Sequence, residues 1–262
     1  MSKNFLLIVE GAVTEKSILK SILKKCDVEV FDSGRIDLKA NVNEVFADLY
    51  YTSKKDKIFL VQGPRNRIHD WLKQIKLNEE DFELFFKEIE GKFAGIFIIF
   101  DVDHTMNDDL EEMFQKYNDE TGNGLLLLSS PCIEVMAETG RTEPLRCNHL
   151  REYKTELNTR FNLAGYESAV KYIINNFDKL SLYYIDKNTQ ESGLLDVMQH
   201  PQFVLTKINE LNERRHISKD SNPVFYRYFT TVLYVCIAYI NGLVKDFDNV
   251  QKVREWFLKN DD

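Results

Sequence analysis

The sequence predicts an α/β fold: a mainly parallel sheet flanked by helices over residues 1–140, then a helical C-terminal region over residues 141–262. Three observations carry this. Short unbroken apolar runs such as Phe5–Val9 and Ile96–Phe100 suit strands covered on both faces. Segments with apolar residues three and four apart separate those runs, the alternation that builds parallel sheets. After Pro131 strong strand patterns stop and helical spacing takes over.

Taken in order, Phe5–Val9 is the first strand, and residues 14–25 follow as a helix with Ile18, Leu19, Ile22 and Leu23 on one side. Val28–Phe31 is a second strand that ends at the turn Asp32-Ser33-Gly34. Val42–Tyr51 reads as a helix, and Ile58–Val61 as a third strand stopped by Gly63-Pro64. Helices are expected over 68–75 and 79–89, a strand over 95–100, a helix over 110–117 and a strand over 125–128. The C-terminal region reads as helices over 145–161, 167–177, 203–215, 223–239 and 247–258.

Hydrophobic residues are 44% and charged residues 29% of the 262, which excludes disordered and fibrous classes and allows a real core. The four cysteines, Cys26, Cys132, Cys147 and Cys236, are far apart, so a disulfide framework or structural zinc motif is not expected and a reducing cytoplasm suits them. The opening residues hold too short an apolar run for a secretory signal, and 225–240 falls short of a membrane span. A cytoplasmic protein with no membrane association is the expectation. The net charge of −8 argues against a general nucleic-acid coat, because phosphate affinity comes from Lys and Arg. It leaves room for an enzyme whose metal ions meet the phosphates.

Ligands of open parallel sheets bind at the carboxyl ends of the strands. Here those ends read Glu10-Gly11, Asp101-Val102-Asp103-His104-Thr105 and Ser129-Ser130-Pro131-Cys132-Ile133-Glu134. Alternate residues of an extended chain point the same way, so Asp101 and Asp103 share a face, and Glu10 joins them if the first and fourth strands are neighbours. Converging carboxylates call for a cation, and Mg²⁺ (or Mn²⁺) takes oxygen ligands of this kind. Glu134 completes the acidic set as a candidate ligand, although a carboxylate in a helix first turn is nearly as good an account of it. Glu15 reads as an ordinary helix residue and Cys132 as a small buried one.

A Glu-Gly after the first strand with an Asp-x-Asp after a later one resembles the Toprim domain, the metal-dependent module of topoisomerases, primases and several nucleases. Val9-Glu10-Gly11-Ala12-Val13-Thr14-Glu15, Asp101-Val102-Asp103-His104 and Ser129-Ser130-Pro131-Cys132-Ile133-Glu134 are most similar to the RloB-like proteins of that superfamily, over roughly residues 3–180. Ile133 and Val135-Met136 stand where that family tends to have aromatic residues. The resemblance implies a Toprim-like, Rossmann-like fold and a nuclease cleaving DNA or RNA phosphodiesters. It implies Glu10 as general acid/base or alternating ligand, and Asp101 and Asp103 as metal ligands. It also implies bacterial defence against phage, beside an ABC-type ATPase partner.

Two other readings stand beside it. Phe100-Asp101-Val102-Asp103-His104-Thr105 fits the first motif of haloacid-dehalogenase-like phosphatases, with Asp101 as nucleophile, Asp103 as acid and Ser129 as phosphate binder. That leaves Glu10-Gly11 without a role and places the motif late in the chain. The other is a catalytically silent scaffold that regulates a partner. Basic residues that could meet nucleic acid are Arg65, Arg67, Arg141, Arg146, Arg151 and Lys154. The aromatic residues of 181–262 suggest an interface for a homo-oligomer or larger complex.

Overall fold

A computed structural model describes residues 2–11, 13–23, 28–39, 41–64, 67–102, 107–130, 132–134, 146–147, 149–159, 224–225 and 229–230. The chain divides into two compact units, residues 1–100 with 108–127, and residues 101–107 with 128–262.

The first unit is built on strands β1 (Asn4–Val9), β2 (Val28–Arg35), β3 (Asp56–Gln62), β4 (Gly95–Asp101), β5 (Asn118–Asp119) and β6 (Gly124–Ser130), the last residues of β4 and β6 belonging to the second unit. The strand order is β2-β3-β1-β4-β6-β5. β1 pairs in parallel with both β3 and β4, and β2 pairs in parallel with β3. β4 is buried at all seven positions, as its unbroken apolar run requires of a central strand. β5, which the sequence did not reveal, pairs antiparallel with the start of β6. Gly124 closes that turn at φ +106°, and a Cβ there would lie 3.1 Å from Ile96 and Ile98 side-chain carbons. Only glycine meets both conditions without strain.

The helices of this unit are α1 (Thr14–Leu23), α2 (Val42–Val45), α3 (Ile68–Leu77), α4 (Glu79–Ile89) and α5 (Asn107–Lys116, whose first residue belongs to the second unit), with a 3-10 turn at Ala47–Tyr50. α3 buries Ile68, Trp71, Leu72 and Ile75, and α4 buries Phe82, Phe85 and Ile89, the spacing of one helical face. Glu79, Glu80 and Asp81 occupy the first turn of α4, where carboxylates favour the helix dipole. The expected helix over Val42–Tyr51 is instead α2 followed by the 3-10 turn. Its cause is Lys57, buried in β3, whose ammonium takes the carbonyls of Asp48, Leu49 and Tyr51 at 3.0, 2.7 and 2.6 Å. An α-helix through Tyr51 would turn those carbonyls along its own axis and leave a buried charge without acceptors.

α1 is tied to β2 by Lys16 and Lys20, which both donate to Asp32. Burial works to raise the Asp32 pKa, but hydrogen bonds from Lys16, Lys20 and the Gly34 N–H, with the charge of Lys16, outweigh it and hold the carboxyl at about 2. A depressed folded-state value adds stability that is complete above the unfolded value and lost as pH falls through the folded one. The unfolding free-energy difference between wild type and Asp32→Asn should therefore hold steady near neutrality and shrink between roughly pH 4 and pH 2. The pair is partly exposed, so the effect is modest. Urea unfolding across that range checks it; a difference that grows on acidification would contradict the pairing.

In the second unit, α6 spans residues 150–159, with Leu150, Tyr153 and Leu157 buried on one face. His149 Nδ1 accepts the Glu152 N–H at 3.1 Å and so caps its start. Three short strands correct the expectation of helix alone after Pro131. β7 (Arg146–Cys147) pairs antiparallel with β8 (Val224–Phe225), and β9 (Phe229–Thr230) pairs antiparallel with Ser129 and Ser130 of β6. The run Val224-Phe225-Tyr226-Arg227-Tyr228-Phe229-Thr230-Thr231-Val232 is rich in aromatic and β-branched residues, and available strand partners decide such ambiguous segments. The helices expected over 167–177, 203–215 and 247–258 lie outside the described residues.

Candidate functional site

β1 and β4 are neighbours, as the acidic-site reading needs. Val9 stands opposite Ile99, and the Glu10 N–H donates to the Ile99 carbonyl at 3.0 Å. The Glu10 carbonyl accepts from Gln62 Nε2 at 3.4 Å, and Glu10 is 8% exposed. Its position after β1 is thus fixed by a backbone bond to β4 on one side and a side-chain bond from β3 on the other.

In the second unit Asp101, the last residue of β4, is 5% exposed. Its Oδ1 accepts the Ile133 N–H at 2.8 Å and its Oδ2 faces the Lys154 ammonium at 3.3 Å. The next residue, Val102, donates its N–H to the Ser129 carbonyl at 2.8 Å, so the ends of β4 and β6 advance side by side. That brings Cys132-Ile133-Glu134 over the Asp101 carboxylate. Glu134, in a 3-10 turn, is 5% exposed; its Oε1 accepts from Asn158 Nδ2 at 3.2 Å. Its Oε2 is buried with no hydrogen-bond partner among the described residues. Lys154 and Asn158, four apart on α6, supply the two side-chain donors.

Cys132 is fully buried, and ligand-capable atoms of Asp101, Cys132 and Glu134 lie within 4.8 Å of one another. Burial pushes the Cys132 thiol well above its ordinary value, and the carboxylates of Glu134 and Asp101 push it the same way against the pull of Lys154. The thiol is therefore protonated and unreactive at neutral pH without a cation beside it. Sequence reading placed Cys132 among small core residues; the signal that it faces carboxylates is its i, i+2 spacing from Glu134 just past a strand neighbouring β4.

The remaining expected residues divide plainly. Arg67 is exposed immediately before α3, and Arg151 is exposed on α6. Lys154, expected as a phosphate contact, is ion-paired with Asp101. The backbone of Arg146 lies in β7. Asp103, Arg65 and Arg141 lie outside the described residues, as do His104 and Thr105. Among the described residues no helix is long and apolar enough to cross a membrane.

Compared with family models, curated proteins and solved structures, the chain matches none.

Proposed function

We propose that this chain is a divalent-metal-dependent nuclease that cleaves DNA or RNA phosphodiesters at the carboxyl end of its central strand. The observation that carries the reading is Asp101: a carboxylate held in the protein interior at the end of β4, oriented by a backbone N–H and balanced by one ammonium. Ionisable groups are rarely kept in such places unless the charge is used. Glu10 follows the adjacent parallel strand, the arrangement the Toprim resemblance requires, and Asp103 follows Asp101 by two residues.

The oxygen donors of the strand ends suit a hard divalent cation, since Asp101 offers a buried carboxylate at the end of β4. Asp101, Asp103 and Glu10 would hold Mg²⁺ or Mn²⁺, with Glu134 beside them. When bound, the metal supplies charge stabilisation to the phosphate and leaving oxygen. Glu10 would move the proton of the attacking water, Ile133 N–H would keep Asp101 aimed, and Lys154 would add positive charge for the phosphate once released from Asp101. Arg67 and Arg151, both exposed, suit contacts to flanking phosphates. The biological reading follows the same resemblance: a cytoplasmic enzyme of bacterial phage defence, assembled as a homo-oligomer or with an ABC-type ATPase.

A cleavage screen on single- and double-stranded DNA, tRNA and total RNA, with Mg²⁺, Mn²⁺ or chelator, tests this. Metal-dependent cutting of any of them supports it. Hydrolysis of phosphate monoesters alone, insensitive to Glu10→Gln, favours the phosphatase reading. No hydrolysis under any condition favours the scaffold.

A further inference from the structure

We infer that Asp101, Cys132 and Glu134 form a binding site for one thiophilic divalent cation of the Zn²⁺ class. This goes beyond the nuclease reading, with which it shares Asp101 and Glu134, and does not depend on cleavage. All three side chains are at least nine-tenths buried, and their ligand-capable atoms already lie within 4.8 Å of one another. Zinc bonds of about 2.3 Å to sulfur and about 2.0 Å to oxygen give tetrahedral edges of roughly 3.3–3.6 Å, so closure needs shifts of about an ångström. The independent sign of a ligand is Glu134 Oε2, a carboxylate oxygen removed from water, which Asn158 leaves unmatched and for which the only donor beside Glu134 among the described residues is the weak Cys132 thiol. Leaving such an atom unmatched costs free energy that a cation would return.

The chemistry selects the class of metal. Two carboxylates and a thiol are a mixed hard and soft set, which Mg²⁺ with its preference for oxygen uses poorly and Zn²⁺ or Cd²⁺ uses well. Three protein ligands leave one position open, the pattern of accessible rather than closed zinc sites. The surroundings are prepared for it. Ile133 N–H locks Asp101 Oδ1, and Asn158 locks Glu134 Oε1. The Lys154 ammonium at Asp101 Oδ2 is a positive charge where part of the cation's charge would act. Lys154 is also 29% exposed in its side chain, so it can swing to water when a metal enters. Lysine and metal therefore compete for Asp101.

The test uses the full chain, reduced and stripped of metal, titrated with Cd²⁺ alone. One equivalent should bring up the thiolate-to-cadmium ultraviolet band. Cys132→Ser should abolish the band, and Glu134→Gln, which keeps the Asn158 hydrogen bond, should weaken binding at least about tenfold, the scale of one lost charged ligand. Lys154→Gln should tighten binding by several-fold. Glu10→Gln should keep the thiolate-to-cadmium band, because Glu10 is not among its ligands, so that loss of cleavage in that variant separates the nuclease reading from this one. Cadmium-113 NMR on the unsubstituted chain guards against a misfolded variant. A shift typical of one sulfur with oxygen ligands supports the site; an all-oxygen shift overturns it, as does a band that survives Cys132→Ser and arises from Cys26, Cys147 or Cys236.

Discussion

Asp101→Asn is expected to reduce phosphodiester cleavage by about 10²–10³-fold or more, the scale of losing a group on which transition-state charge depends. The substitution is close to isosteric. The Asn side-chain oxygen can still accept the Ile133 N–H, so the segment 132–134 stays in place. What is removed is the negative charge that faces Lys154 and would hold the metal. The ammonium left behind is part-exposed and can turn to solvent, which limits the cost to stability. Initial rates in Mn²⁺, measured beside the thermal midpoint of each protein, check this. A variant that melts like wild type but has lost cleavage agrees; one that cuts at the wild-type rate places the activity elsewhere.

Trp71→Ala is expected to destabilise the first unit by about 3–5 kcal/mol, the range for deleting a buried aromatic ring. Trp71 is 1% exposed and meets Phe82, Phe100 and Tyr117 edge to face, with ring centroids 5.8, 5.4 and 6.1 Å away. Its Nε1–H donates to the Tyr117 hydroxyl at 2.9 Å. Burial pushes that phenol above its ordinary pKa, so it stays protonated, and without Trp71 it would face a cavity. The backbone at Gly63 leaves room for this ring, since a Cβ there would stand 2.5 Å from it. Urea unfolding gives the comparison; a loss below about 1 kcal/mol would mean that the site collapses around the void.

Much of the sheet was legible because its strands are written in one code. Phe5–Val9 and Ile96–Phe100 are apolar without interruption, which strands covered on both faces require. α3 and α4 were legible from the spacing of Ile68, Trp71, Leu72 and Ile75, and of Phe82, Phe85 and Ile89. Elements fixed by a distant partner were not. The break after α2 depends on a Lys57 ammonium from β3, and β9 exists through Ser129 and Ser130, about a hundred residues away in sequence. The same contrast holds at the site. Asp101, Glu10 and Glu134 stood out as carboxylates at strand ends, because strand ends can be located by eye. Lys154 takes its meaning from an ion pair between α6 and the end of β4, which no local pattern in the sequence encodes, and Cys132 gave only the faint signal of its spacing from Glu134.

At the core of the proposed function is a divalent cation held at the carboxyl end of β4 through Asp101. Electron paramagnetic resonance of Mn²⁺ titrated into the metal-free chain measures this without reference to any substrate. Loss of the free-ion signal at one or two equivalents, with at least about tenfold weaker binding in Asp101→Asn, is the predicted result. Binding that is absent in wild type, or undiminished in Asp101→Asn, would contradict it.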